Sequence, residues 1–212
     1  MATTKGVLDV ARKELGVKES PANSNNVKYN TWYYGKSVSG SAYPWCMCFV
    51  QWCFARADMR LPCVTASCGE LLNWYKRNHP DQVKTSAPRA GDIVIYTFGH
   101  TGIVESASGN SITAIEGNTS PGSSGSQSNG GMVCRRTRQT YTVKAYIRPN
   151  YDKEVKPMDN TPSPAHKEAV EWAKKNGILT GNSSGDLMLS QTLTRQQMCT
   201  MLYRFAKKIG KV

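Results

Sequence analysis

The spacing of apolar residues changes once along this chain, and that change limits the fold more than any other feature. Residues 5–18 carry Val7, Leu8, Val10, Ala11 and Leu15 at helical spacing with charges between them. An apolar run from Trp45 to Ala57 and a segment Ser67–Asn78 that stops at His79-Pro80 follow, and proline ends a helix because it has no N–H to donate. From Asp92 onward the rhythm is that of strands. Asp92–Thr97, Thr101–Glu105, Ser111–Glu116, Met132–Arg136 and Val143–Arg148 are short β-branched or aromatic runs separated by Gly, Ser and Asn, the pattern of an antiparallel sheet. Helices first and strands afterwards predict an α+β domain, with the N-terminal helices packed on the sheet.

Two breaks divide the rest. Thr119–Gly131 (TSPGSSGSQSNGG) is small and polar and reads as a mobile loop joining two strands. Residues 151–163 hold Pro157 and Pro162 among charges and read as a linker. The expected domains are therefore 1–150 and a small all-α module, 164–212. Pro164 suits the first turn of a helix running to about Asn176, and Gly177 suits its stop. Thr194 with Gln197 forms a capping box that starts a second helix. Ala169, Val170, Trp172, Ala173, Ile178, Leu179, Met198, Met201, Leu202 and Phe205 fall at core positions by spacing. Two such helices bury little area alone, so the module is expected either to dock on the first domain or to pair with a copy of itself as a homodimer.

The formal net charge of +12 favours polyanionic partners. The excess is diffuse: residues 1–150 carry 17 Lys+Arg against 9 Asp+Glu, and residues 151–212 carry 10 against 6. With no helix-turn-helix, zinc or RNA-binding signature, a broad anionic surface is expected rather than nucleic acid. No run approaches the roughly 18 apolar residues of a membrane span, and the amphipathic start does not read as a signal peptide, so a cytosolic protein without membrane insertion is expected. Seven cysteines, an odd number, point to free thiols. Cys46, Cys48, Cys53, Cys63 and Cys68 lack paired C-x-x-C knuckles and nearby histidines, so no zinc is expected.

Among these cysteines, Cys46 stands at the first turn of the apolar helix. There unsatisfied N–H groups and the helix dipole stabilise a thiolate and could bind an oxyanion. A buried cysteine is ordinarily inert, so a partner base decides the matter. His79 closes a helix and His166 opens the C-terminal module. His100, in Gly99-His100-Thr101-Gly102 beside a strand start, is the well-placed base. An imidazole also needs an orienting acceptor, and Glu116 and Asn118, flanking Gly117 at a strand end, both qualify.

The segments YPWCMCFVQW, PRAGDIVIYTFGHTGIVE, AIEGNTSPG and SNGGMVCRRTR occur in order over about residues 5–150. They resemble the CHAP family of cysteine amidases and peptidases. That resemblance implies a papain-like fold, a nucleophile at Cys46, a base at His100, an orienting Glu116 and a supporting Asn118. It also implies cleavage of amides in bacterial peptidoglycan, at the muramic acid–alanine junction or within the stem or cross-bridge peptide. Some members carry an acidic calcium loop, whereas Ser20–Gly40 has no Asp or Glu, so no cofactor or metal is expected.

AHKEAVEWAKKNGILTG followed by LTRQQMCTMLYRFAKK resembles a single S-layer homology repeat. This implies binding to anionic secondary wall polymers, with Arg195 aimed at the polymer from a helix N-terminus. A wall hydrolase without a signal peptide is expected to be a phage or prophage endolysin, held in the cytoplasm of the infected or lysogenic bacterium until release to the wall. The rival from another class is a non-catalytic wall-binding protein.

Overall fold

A computed structural model of the chain describes residues 3–122, 125–151, 160–182 and 185–211. The chain divides into two compact units, Met1–Glu154 and Val155–Val212.

The first unit begins with α1 (Thr4–Lys13), started by the Thr3 hydroxyl accepting from the Gly6 N–H at 3.0 Å. The helix stops short of the expected residue 18 because Gly16 turns the chain at φ +86° and Lys18 pairs with Met132 as a lone bridge. A second helix, α2 (Lys28–Tyr34), has no counterpart in the apolar spacing. Contacts outside the helix hold it instead: the Asn30 amide donates to the carbonyls of Asn25 (2.8 Å) and Tyr43 (2.9 Å). Next comes α3 (Cys46–Arg56), which buries eight of its eleven residues, as expected of a helix that is apolar all round and central to its domain. α4 (Cys68–Asn78) is capped by the Ser67 hydroxyl, which accepts from the Glu70 N–H.

The sheet contains β1 (Val83–Lys84), β2 (Ile93–Tyr96), β3 (Thr101–Ser108), β4 (Ser111–Thr119), β5 (Met132–Gln139) and β6 (Val143–Ile147). All neighbours are antiparallel, in the order β1-β6-β2-β3-β4-β5. The α+β class expected from the sequence is the class observed. Alternation along the strands builds two cores. Ile93, Ile95, Ile103, Ile115 and Ile147 pack with the helices, while Val94, Tyr96, Val104, Ile112, Ala114 and Tyr146 form a cluster on the other face.

Close approach of α3 to β4 depends on Gly117. A Cβ there would stand 2.6 Å from Phe49 Cβ and 2.8 Å from Trp45 Cζ3. Gly117→Ala should therefore lower stability by about 1–3 kcal/mol through overpacking, a drop that urea denaturation would read. An unchanged midpoint would mean that the helix and strand tolerate the added methyl.

In the second unit, α5 (Lys167–Lys175) follows a 3-10 turn at Pro164–His166, and Gly177 stands just beyond it at φ +69°. α6 (Arg195–Lys208) starts with the expected capping box between Thr194 and Gln197. Of the expected core positions only Ile178 is buried: neither helix buries a residue, and Ile178 and Leu187 are the buried apolar side chains of this unit among the described residues. Helical spacing assigns a face, and burial further needs a partner to cover it. Most of the expected linker, 152–159, lies outside the described residues.

Candidate active site

Cys46 is the first residue of α3, so its sulfur sits where helix geometry leaves backbone N–H groups without carbonyl partners. Trp45, just before it, is fixed by stacking on Tyr29 (5.4 Å between ring centroids) and by its indole N–H donating to Glu19 Oε2 at 3.4 Å. The Cys46 residue is 5% exposed, and His100 and Glu116 are fully buried. Its thiol pKa is held well below the ordinary value, first by the Cys68 thiol and then by His100; burial opposes both and is outweighed.

His100 lies in the turn between β2 and β3, where Gly99 adopts φ +76° and the Tyr96 N–H donates to the His100 carbonyl at 2.9 Å. Standing ahead of the pleated strand, the ring is not bound to either face and reaches both Cys46 and Glu116. Its Nε2 is 3.1 Å from Glu116 Oε2. Its Nδ1 has no hydrogen-bond partner of ordinary geometry, and the Cys46 thiol interacts with this ring. Burial by itself would lower the imidazole pKa, but the thiol and Glu116 together outweigh it and push it up to about 9. A thiolate beside an imidazolium is therefore the favoured state of the pair near neutral pH.

Glu116 is fully buried in β4. Gly102 makes room for it, since a Cβ at that position would stand 2.6 Å from Glu116 Cγ. Burial alone would favour the neutral acid, yet the carboxyl is held below its usual range by Arg138 and then by His100. Arg138 donates twice, from Nε to Oε1 at 2.8 Å and from a terminal nitrogen to Oε2 at 2.6 Å. The Tyr96 hydroxyl, kept protonated by burial and by the carboxylate, donates to Oε1 at 2.7 Å. The Arg138 guanidinium lies over the rings of Tyr96 (5.1 Å) and Phe98 (5.2 Å). Such planar, charge-assisted pairing fixes the carboxylate in one orientation.

The structure brings Cys46, His100 and Glu116 together. The Asn118 side chain is engaged elsewhere: its amide donates to Asn129 Oδ1 at 3.1 Å, and its oxygen accepts from the Gly131 N–H at 3.3 Å. Two residues after Glu116 it would share that strand face, but the ladder shifts register between Glu116 and Thr119 and Asn118 itself takes φ +60°. Asn118 thus ties down the loop after β4. The same loop, expected to be mobile, is held at Gln127, whose side-chain oxygen accepts from Arg136 and whose carbonyl accepts from Thr119. Arg195 belongs to the second unit, where it is the exposed first residue of α6.

Arg138, Tyr96 and Cys68 escaped the sequence reading. Arg138 shares a sheet face with Glu116 through the register that sets it opposite Ile112, and no local spacing reveals that register. Cys68 lies with its sulfur 3.8 Å from that of Cys46. Its signal was present, since it too opens a helix directly after a serine cap.

Against known proteins, the CHAP domain model matches residues 38–118, a span that contains Cys46, His100, Glu116 and Asn118. The chain is 15% identical to the structure of a wild-type endolysin, LysIME-EF1, with a TM-score of 0.47 and coverage of 86% of this chain and 89% of that one. It is 20% identical to the structure of Ly7917, with a TM-score of 0.40 and coverage of 69% of this chain and 62% of that one. Ly7917 with the hydrolyzing product of MDP gives 19% identity, a TM-score of 0.41 and the same coverage. No curated protein matches the chain.

Proposed function

We propose, for a chain that carries a CHAP domain over residues 38–118, that the protein is an endolysin that hydrolyses amide bonds of bacterial peptidoglycan with Cys46 as nucleophile. CHAP domains are peptidoglycan hydrolases, which supports hydrolase activity. The observation that supports the cysteine mechanism is the buried His100 ring, whose Nε2 is 3.1 Å from the Glu116 carboxylate and which interacts electrostatically with the Cys46 thiol.

In this mechanism the Cys46 thiolate attacks the amide carbonyl, and first-turn N–H groups of α3 stabilise the oxyanion. The C–N bond breaks as the His100 imidazolium gives its proton to the departing amine, which leaves a thioester on Cys46. Water then attacks the thioester, with neutral His100 taking its proton, and the carboxylic acid product departs as the thiolate–imidazolium pair re-forms. Glu116 holds the imidazole and stabilises its cation. The second unit is proposed as the wall-binding part, with Arg195 facing anionic wall polymers from the start of α6.

The reaction is tested by digesting purified sacculi of defined composition and identifying the new termini by mass spectrometry. Release of stem peptides with a free N-terminal alanine assigns an amidase, and new termini within the stem or cross-bridge assign an endopeptidase. A digest with no new amine or carboxylate ends would overturn the proposal.

The acylation step requires the imidazolium. Its pKa of about 9 means that this acid is present below that pH and is lost above it. The initial clearing rate is therefore expected to fall as pH rises through about 9. A rate that instead climbs through that range, as it would for a nucleophile ionising like an isolated thiol, would exclude the ion-pair form.

A further inference from the structure

The Cys46 sulfur has a second neighbour that the mechanism above does not use. α3 and α4 both begin with a cysteine, and their sulfurs meet at 3.8 Å, with both residues buried. Both sulfurs lie at positive helix ends, so the dipoles alone do not select which one ionises. The surroundings do. The His100 imidazole interacts with Cys46, whereas Cys68 faces the charge on Cys46 and keeps its own proton.

We infer that Cys68 is a positioning residue for the nucleophile: its S–H donates to the Cys46 thiolate and fixes that charge at the mouth of α3. The inference rests on the reading of Cys46 as the reactive thiol. A thiol is a weak donor towards neutral acceptors, but a thiolate is a charged acceptor, and charge-assisted bonds are the stronger class. When Cys46 has passed its proton to His100, one proton remains on the two sulfurs, and it lies on Cys68. The groups facing the Cys46 sulfur are His100 from the turn before β3 and Cys68 from α4. Cys48 acts from α3 itself at longer range, and Glu116 lies behind the imidazole on β4.

The test uses the full chain without peptidoglycan. Iodoacetamide alkylation is followed as a function of pH, and the Cys46 peptide is quantified by mass spectrometry after digestion. Cys68→Ala and Cys68→Val remove the donor, and Cys68→Ser restores one. The midpoint for Cys46 should rise by about one pH unit or more in the first two variants and return towards the parent value in the third. Either donor-less variant that keeps the parent far-UV circular dichroism and melting temperature suffices. A donor-less profile that superimposes on the parent, or a serine variant that behaves like alanine, would overturn the inference. Because the readout needs no wall substrate, failure here with intact hydrolysis removes only the role of Cys68. A shifted profile without hydrolysis removes only the peptidoglycan reading.

Discussion

Cys46→Ser is expected to clear purified sacculi at least about a thousandfold more slowly than the parent chain, because the site is tuned for a thiolate and not for a hydroxyl. In the proposed mechanism the parent thiol passes its proton to His100 before substrate arrives, in keeping with the lowered pKa of Cys46 and the raised pKa of His100. A serine hydroxyl ionises far above that range, so the imidazolium that serves as acid for the thiolate would have to become the base for the alcohol. The shorter side chain also draws the attacking atom back towards α3. Packing should be nearly unchanged, so the melting temperature is expected to stay close to that of the parent. Equal clearing by parent and variant would remove the catalytic reading and leave a wall-binding protein.

Arg138→Leu should destabilise the first unit by about 3–5 kcal/mol, because it leaves the buried Glu116 carboxylate without its bidentate partner. For a domain of this size that corresponds to a fall in melting temperature on the order of 10 °C. The Arg138 side chain is 10% exposed, so solvent offers little screening. The pH dependence has a definite sign. The folded pKa of Glu116 is depressed, so its stabilisation is present above the unfolded carboxylate range and is lost as pH falls through the folded value. Without Arg138 that depression weakens, and the gap between parent and variant should narrow as the solution is acidified. Adding Glu116→Gln to Arg138→Leu should recover part of the neutral-pH loss, since the uncompensated charge is then gone. A variant that melts with the parent at neutral pH would mean that Arg138 does not hold the carboxylate.

These two cases also mark where the sequence was readable. The change from helical to strand spacing predicted the order of elements and the five longer strands, because burial on one face or two leaves a period in the chain. Cys46 and His100 were legible because each stands at a local boundary, a helix start and a glycine-flanked strand start. α2 was not, since its hold comes from Asn30 side-chain bonds to distant carbonyls. β1 was too short, at two residues, to show a period. The choice between Glu116 and Asn118 as the imidazole's partner turned on a register shift and one left-handed residue, neither of which composition encodes.

Arg138 comes last in the chain among the groups that converge on the relay, 92 positions beyond Cys46. The Glu116–Arg138 pair closes over 22 positions of chain, and such non-local pairings are slower to form than contacts within a helix. A nascent chain that has reached β4 already contains Cys46, His100 and Glu116, but not the guanidinium that pairs with that carboxylate through two hydrogen bonds. The carboxylate that orients the imidazole should therefore gain its guanidinium partner late in synthesis, when the fifth strand zips onto the fourth.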